Sequence, residues 1–124
     1  MTISTKPNLQ LIYVSDIKRS TAFYEKLFDA KPIVSMENYV AFSAGGDSVF
    51  SICIRLEHEP KYDAERFSEI GIMLPSNEDV DRFFEKCKNE LNAKVVQEPI
   101  TECFGRTFLI ADPDGHIIRS CPVG

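Results

Sequence analysis

The sequence predicts an α+β fold of two consecutive βαβββ modules, and three observations carry that prediction. Short runs rich in β-branched and aromatic residues are interrupted twice by longer stretches whose apolar residues recur at helical spacing. The order of segments in the first half returns in the second. Letters return with it: Phe23-Tyr24-Glu25-Lys26 reappears as Phe83-Phe84-Glu85-Lys86, Ala30-Lys31 as Ala93-Lys94, and Ser51-Ile52-Cys53 is answered by Arg119-Ser120-Cys121.

Leu9 to Val14 is a short apolar run of β-formers and reads as the first strand. Ser15 and Asp16 offer a helix N-cap, after which Ile17, Thr21, Tyr24, Leu27 and Phe28 form one apolar stripe. Pro32 marks the exit from that helix, and strands follow at 33–36, 39–44 and 49–56, with Gly45-Gly46-Asp47 turning between the last two. In the last of these, Phe50, Ile52, Ile54 and Leu56 share an apolar face that must meet a helix. Val49, Ser51, Cys53 and Arg55 share the opposite, mixed face, which suits a cavity or a partly wet surface.

Residues 57–66 are charged, contain Pro60 and show no period, so they read as a linker. The pattern then restarts with a strand over 67–74, in which Glu69, Gly71 and Met73 oppose Ile70, Ile72 and Leu74. Ser76 and Asp79 make a capping pair for a second helix whose stripe is Val80, Phe83, Phe84, Cys87 and Leu91. Strands follow over 94–98, 107–111 and 116–121. The expected organisation is one domain over 1–124, with module one at about 7–56 and module two at about 67–124.

The final strand carries the oddity. A turn that closes on Gly115 joins two apolar runs, and alternation beyond it puts Ile117, Arg119 and Cys121 on one face with Ile118 and Ser120 on the other. An arginine midway along an otherwise buried strand is where a functional question begins.

Composition narrows the classes. At 124 residues and a hydrophobic fraction of 44%, the chain can bury a core without staples. A net charge of −5 with no Lys/Arg cluster speaks against nucleic acid and anionic membrane as partners. Cys53, Cys87, Cys103 and Cys121 form no CxxC pair and no apolar leader opens the chain, so reduced thiols and a cytoplasmic location are expected. His58 and His116 read as surface residues.

Val14-Ser15-Asp16-Ile17 leading into Ala22-Phe23-Tyr24, the paired modules, and Asp112-Pro113-Asp114-Gly115-His116 before the last strand together resemble the glyoxalase/bleomycin-resistance/extradiol-dioxygenase superfamily, the vicinal oxygen chelate (VOC) proteins. That resemblance implies a cup-shaped mixed sheet with helices outside and a ligand site inside, the glyoxalase/bleomycin-resistance/dihydroxybiphenyl-dioxygenase fold. It also implies a homodimer. Metal-using members place ligands at four symmetric positions, which fall here on Leu9, Ser51, Glu69 and Arg119. A leucine, a hydroxyl, one carboxylate and a permanent cation do not suit a divalent ion, which wants three or four deprotonated N, O or S donors.

The resemblance therefore implies a small-molecule-binding protein of the bleomycin-resistance kind, with no catalytic metal. Arg119 and Glu69 are expected to form a salt bridge, either as structural glue in place of the lost metal, or with Arg119 meeting an anionic or carbonyl-bearing ligand and Glu69 as its orienting partner or a catalytic base. Ser51, Tyr13, Cys53, Phe108 and Cys121 are expected to line the cup, and Phe104, beside Gly105, to belong to a lid. The alternative is a glyoxalase-type lyase or isomerase using Glu69 and a divalent metal, with Cys53 or Cys121 as additional ligands.

Overall fold

Each half of the chain lays one amphipathic helix against a four-stranded mixed sheet. The structure is a computed structural model that describes residues 7–54 and 68–123, and the chain divides into two compact units, Met1–Ala64 and Glu65–Gly124. The 57–66 linker, His58, and the strand ends at 55–56 and 67 expected from the sequence lie outside the described residues.

In the first unit the order is β1 (Leu9–Val14), α1 (Ile17–Phe28), β2 (Val34–Ser35), β3 (Tyr39–Ser43) and β4 (Val49–Ile54). The sheet runs β1-β4-β3-β2, with β1 parallel to β4 and the other pairs antiparallel. Asp16 caps α1 by accepting from the Arg19 amide at 3.1 Å. The helix buries Ser20, Tyr24 and Leu27. Tyr24 meets Phe50 with ring centroids 4.9 Å apart, and Phe28 meets Phe42 and Phe50 at 5.4 Å. These contacts identify the Phe50 and Ile52 side of β4 as the helix side. Full burial of each such ring contributes about 1.5–3 kcal/mol.

The second unit repeats the plan with β5 (Ile70–Leu74), α2 (Asn77–Asn89), β6 (Lys94–Glu102), β7 (Gly105–Ala111) and β8 (Ile117–Pro122). Its sheet runs β5-β8-β7-β6, with β5 parallel to β8. Ser76 caps α2: its Oγ accepts from the Asp79 amide at 3.2 Å and donates to the Asp79 carboxylate at 2.9 Å. Val80, Phe84 and Cys87 are the buried stripe, and burial pushes the Cys87 thiol up to about 12.

Two departures from the sequence reading have local causes. β6 was expected to end at Glu98, before Pro99, yet it continues to Glu102. It lies at the edge of its sheet, and its register against β7 shifts between Gln97 and Ile100, where a residue without an N–H costs no ladder bond. The β7–β8 connection spans residues 112–116, and the side chain of Asp112 organises it. That carboxylate is buried and accepts from the amides of Asp114 at 2.9 Å and His116 at 2.8 Å, while Gly115 takes a φ of 90°. His116, expected at the surface, is accordingly half-buried.

Candidate functional site

Register decides which residues share a face with Arg119. β8 pairs Arg119 with Leu109 on β7 and with Gly71 on β5, and Cys121 with Met73. Cross-strand partners point the same way, so Glu69, Gly71, Met73, Thr107, Leu109, Arg119 and Cys121 line the face away from α2. Ile118, Ser120, Phe108 and Ile110 line the helix side and are fully buried.

On the open face Arg119 is held from two directions. Its Nε donates to one Glu69 carboxylate oxygen at 2.8 Å and its Nη2 to the other at 3.2 Å, the fork geometry that makes arginine–carboxylate pairs specific. Its Nη1 donates to the Thr107 hydroxyl at 3.0 Å, and that hydroxyl donates to the Ser120 carbonyl at 2.8 Å. The Phe104 ring, 47% exposed, lies with its centroid 5.9 Å from the Arg119 Cζ. Hydrogen bonds from Arg119 hold the Glu69 carboxyl below the usual carboxylate range, against a smaller opposing effect of burial, and the same bonds raise Arg119. The pair is ionised at neutral pH, with the side chains of Arg119 29% and Glu69 41% exposed. Two of the five guanidinium N–H groups have no acceptor among the described residues and can donate to a ligand.

The first unit has a corresponding face. Tyr13 pairs with Cys53 and Leu11 with Ser51 across β1 and β4, and Tyr39 and Ala41 of β3 fall beside them. Ser51 is fully buried and its Oγ lies 2.7 Å from the Tyr39 hydroxyl. Tyr13 and Cys53 are half-buried, and the Cys53 thiol donates to the Ile54 carbonyl at 3.3 Å.

The sequence reading placed Glu69 with Arg119, and Tyr13, Ser51 and Cys53 on one face; the structure does the same. Phe108 requires correction. It was expected on the Arg119 face, but its ring packs on Phe84 at 5.1 Å and Phe83 at 6.1 Å, inside the helix layer. The cause is register: Phe108 pairs with Ser120, one residue out of phase with Arg119, and a one-residue difference reverses the face. Phe104, read as part of a lid, stands at the β6–β7 turn above Arg119. Thr107 and Tyr39 were missed. Their signal was strand parity, which needed the hairpin lengths first.

The four family ligand positions do not suit a divalent metal in this chain. Leu9 is 56% exposed and has no donor, the Ser51 hydroxyl is engaged by Tyr39, both Glu69 oxygens are taken by Arg119, and Arg119 repels cations. Among the described residues no group of three or more His, Cys, Asp or Glu could hold an ion, and no helix is long and apolar enough to cross a membrane.

Comparison with known proteins follows the same lines. Residues 6–119 match the family model described as Glyoxalase/Bleomycin resistance protein/Dioxygenase superfamily. The chain is 52% identical over 119 residues to the phenazine antibiotic resistance protein EhpR of Enterobacter agglomerans, covering 94% of this chain and 92% of that one. A protein of Agrobacterium tumefaciens solved by solution NMR is similar at 27% identity and a TM-score of 0.80, covering 98% of this chain and 99% of its own. The crystal structure of a glyoxalase-related enzyme from Fulvimarina pelagi shares the fold with a TM-score of 0.83 at 14% identity, over 98% of this chain and 94% of its own.

Proposed function

The chain belongs to the glyoxalase/bleomycin resistance protein/dioxygenase superfamily, and from that premise we propose that it is a resistance-type protein that binds and sequesters a planar aromatic antibiotic of the phenazine class, with no catalytic metal. The observation that carries this reading is the arrangement at Arg119, where a guanidinium fixed by Glu69 and Thr107 lies beside the exposed ring of Phe104. A flat heteroaromatic gains stacking against Phe104, worth about 0.5–1.5 kcal/mol beyond its buried area. The remaining guanidinium N–H groups donate to a ring-edge oxygen or nitrogen. Glu69 orients Arg119 and, being ionised and doubly hydrogen-bonded, is a poor base for lyase or isomerase chemistry.

The 52% identity to a phenazine antibiotic resistance protein supports the ligand class. Cys121 shares the Arg119 face and belongs to the proposed contact surface; Tyr13, Ser51 and Cys53 form its counterpart in the first unit. In this reading the two modules act as one domain and the chain as a homodimer in the cytoplasm, and light scattering measures the dimer directly.

The test is titration calorimetry of chelator-treated protein with phenazine-1-carboxylic acid and its carboxamide, followed by chromatography of the recovered ligand. Saturable binding without metal, recovery of unchanged ligand and an affinity loss of about tenfold or more in Arg119→Ala are expected. Absence of binding, a requirement for added metal, or conversion of the ligand overturns the reading, the last two in favour of a metal-dependent lyase or isomerase.

A further inference from the structure

We propose that Asn77, Asp81 and Arg106, none of which belongs to the Arg119 cluster, are positioning residues that hold Phe104 in place for the ligand. The inference rests on the reading that Phe104 meets ligand, and it concerns how that ring is held. Only Cys103 and Phe104 separate β6 from β7, so Phe104 rides on the tip of a two-residue hairpin turn. Such tips are ordinarily among the more mobile parts of a fold.

Here the two residues after Phe104 are bolted to α2. Gly105 has a φ of 118°, and a Cβ there would lie 2.6 Å from the Pro122 Cγ and 2.8 Å from the Asn77 Oδ1, so only glycine lets the strand approach this closely. The next amide, Arg106 N–H, donates to that same Asn77 Oδ1 at 3.0 Å. The Arg106 guanidinium donates to the Asp81 carboxylate from Nε at 3.2 Å and Nη2 at 3.1 Å, and to the Thr101 hydroxyl across the hairpin at 3.4 Å. Asn77 and Asp81 are four residues apart on α2, one above the other on the same side, so a single helix face grips the hairpin at two points.

Partly exposed ion pairs of this kind contribute little to global stability. Three polar ties converging within two residues of an exposed aromatic ring have a better account in pre-organisation: they remove in advance the motion that a ligand would otherwise have to freeze. Substituting a tie therefore weakens binding through Phe104 alone, and the effect vanishes when the ring is absent.

Two arms test this. The chain contains no tryptophan, so Phe104→Trp supplies a single tryptophan at the turn, excited at wavelengths its four tyrosines do not absorb. In ligand-free protein, time-resolved anisotropy of that emitter is expected to show a larger amplitude of local motion when Asn77→Ala or Asp81→Asn is added. Unchanged anisotropy in both overturns the proposal. In the second arm, Asn77→Ala and Asp81→Asn weaken binding of phenazine-1-carboxylic acid about fivefold in wild-type background and leave it unaltered in Phe104→Ala. Equal losses in both backgrounds overturn the proposal by showing that the ties serve the fold generally. If the wild-type protein fails to bind phenazines, the proposed function falls while the first arm still decides the positioning role. Asp81→Asn is nearly isosteric and guards against loss of folding in the larger truncation.

Discussion

The Glu69–Arg119 pair makes a pH-dependent contribution to stability whose size follows from its geometry. Opposite charges about 4 Å apart attract by roughly 1 kcal/mol in water and about 4 kcal/mol at an effective dielectric of 20. With 29% and 41% of the two side chains exposed, the pair sits towards the aqueous limit. The fork geometry and the Thr107 contact lift it above a loose surface pair, giving an expected coupling of about 1 kcal/mol. In a chain of this length that corresponds to about 4 °C in melting temperature.

Because Arg119 holds the Glu69 carboxyl below its ordinary value of 4.5, the unfolded chain takes up the proton first as pH falls. The contribution is therefore complete above the unfolded value and is lost as pH drops through the lower, folded one. A double-mutant cycle of Glu69→Gln and Arg119→Gln, followed by urea denaturation at fixed protein concentration, measures the coupling at pH 7 and again near pH 3. A coupling near zero at pH 7, or one of equal size at pH 3, would refute the pairing.

Phe108→Ala should cost about 3–5 kcal/mol, because the ring is fully buried against Phe83 and Phe84; a loss under about 1 kcal/mol in chemical denaturation would return Phe108 to the open face. Ser120→Ala should raise stability by about 1 kcal/mol in the same assay, since the Ser120 hydroxyl is buried with no hydrogen-bond partner among the described residues, whereas a decrease would reveal a partner. Titration of chelator-stripped protein with Zn²⁺, Mn²⁺ or Ni²⁺ should leave its melting temperature unchanged. A saturable rise would mean that an ion binds the native state and that the donor set has been misjudged.

Local chemistry made much of this protein legible in its sequence. The caps at Asp16 and Ser76, the stripes through Tyr24 and Phe84, and the alternation of β4 are short-range patterns, and they specified two βαβββ modules without any knowledge of the whole. The pairing of Glu69 with Arg119 was legible too, because β8 has a clean parity after Gly115 and the family resemblance supplied the position of the neighbouring strand. What depended on the phase of one strand against another, or on a helix–hairpin contact, was not legible. Phe108 changed face because strand pairing, which no local pattern encodes, set its phase against Arg119. Thr107 reached the guanidinium, and Asn77 and Asp81 reached Arg106, only once non-local strands and a helix were packed together. Thr107 lies 12 positions from Arg119, and Asp81 and Asn77 lie 25 and 29 positions from Arg106, so these meetings are a property of the tertiary structure alone.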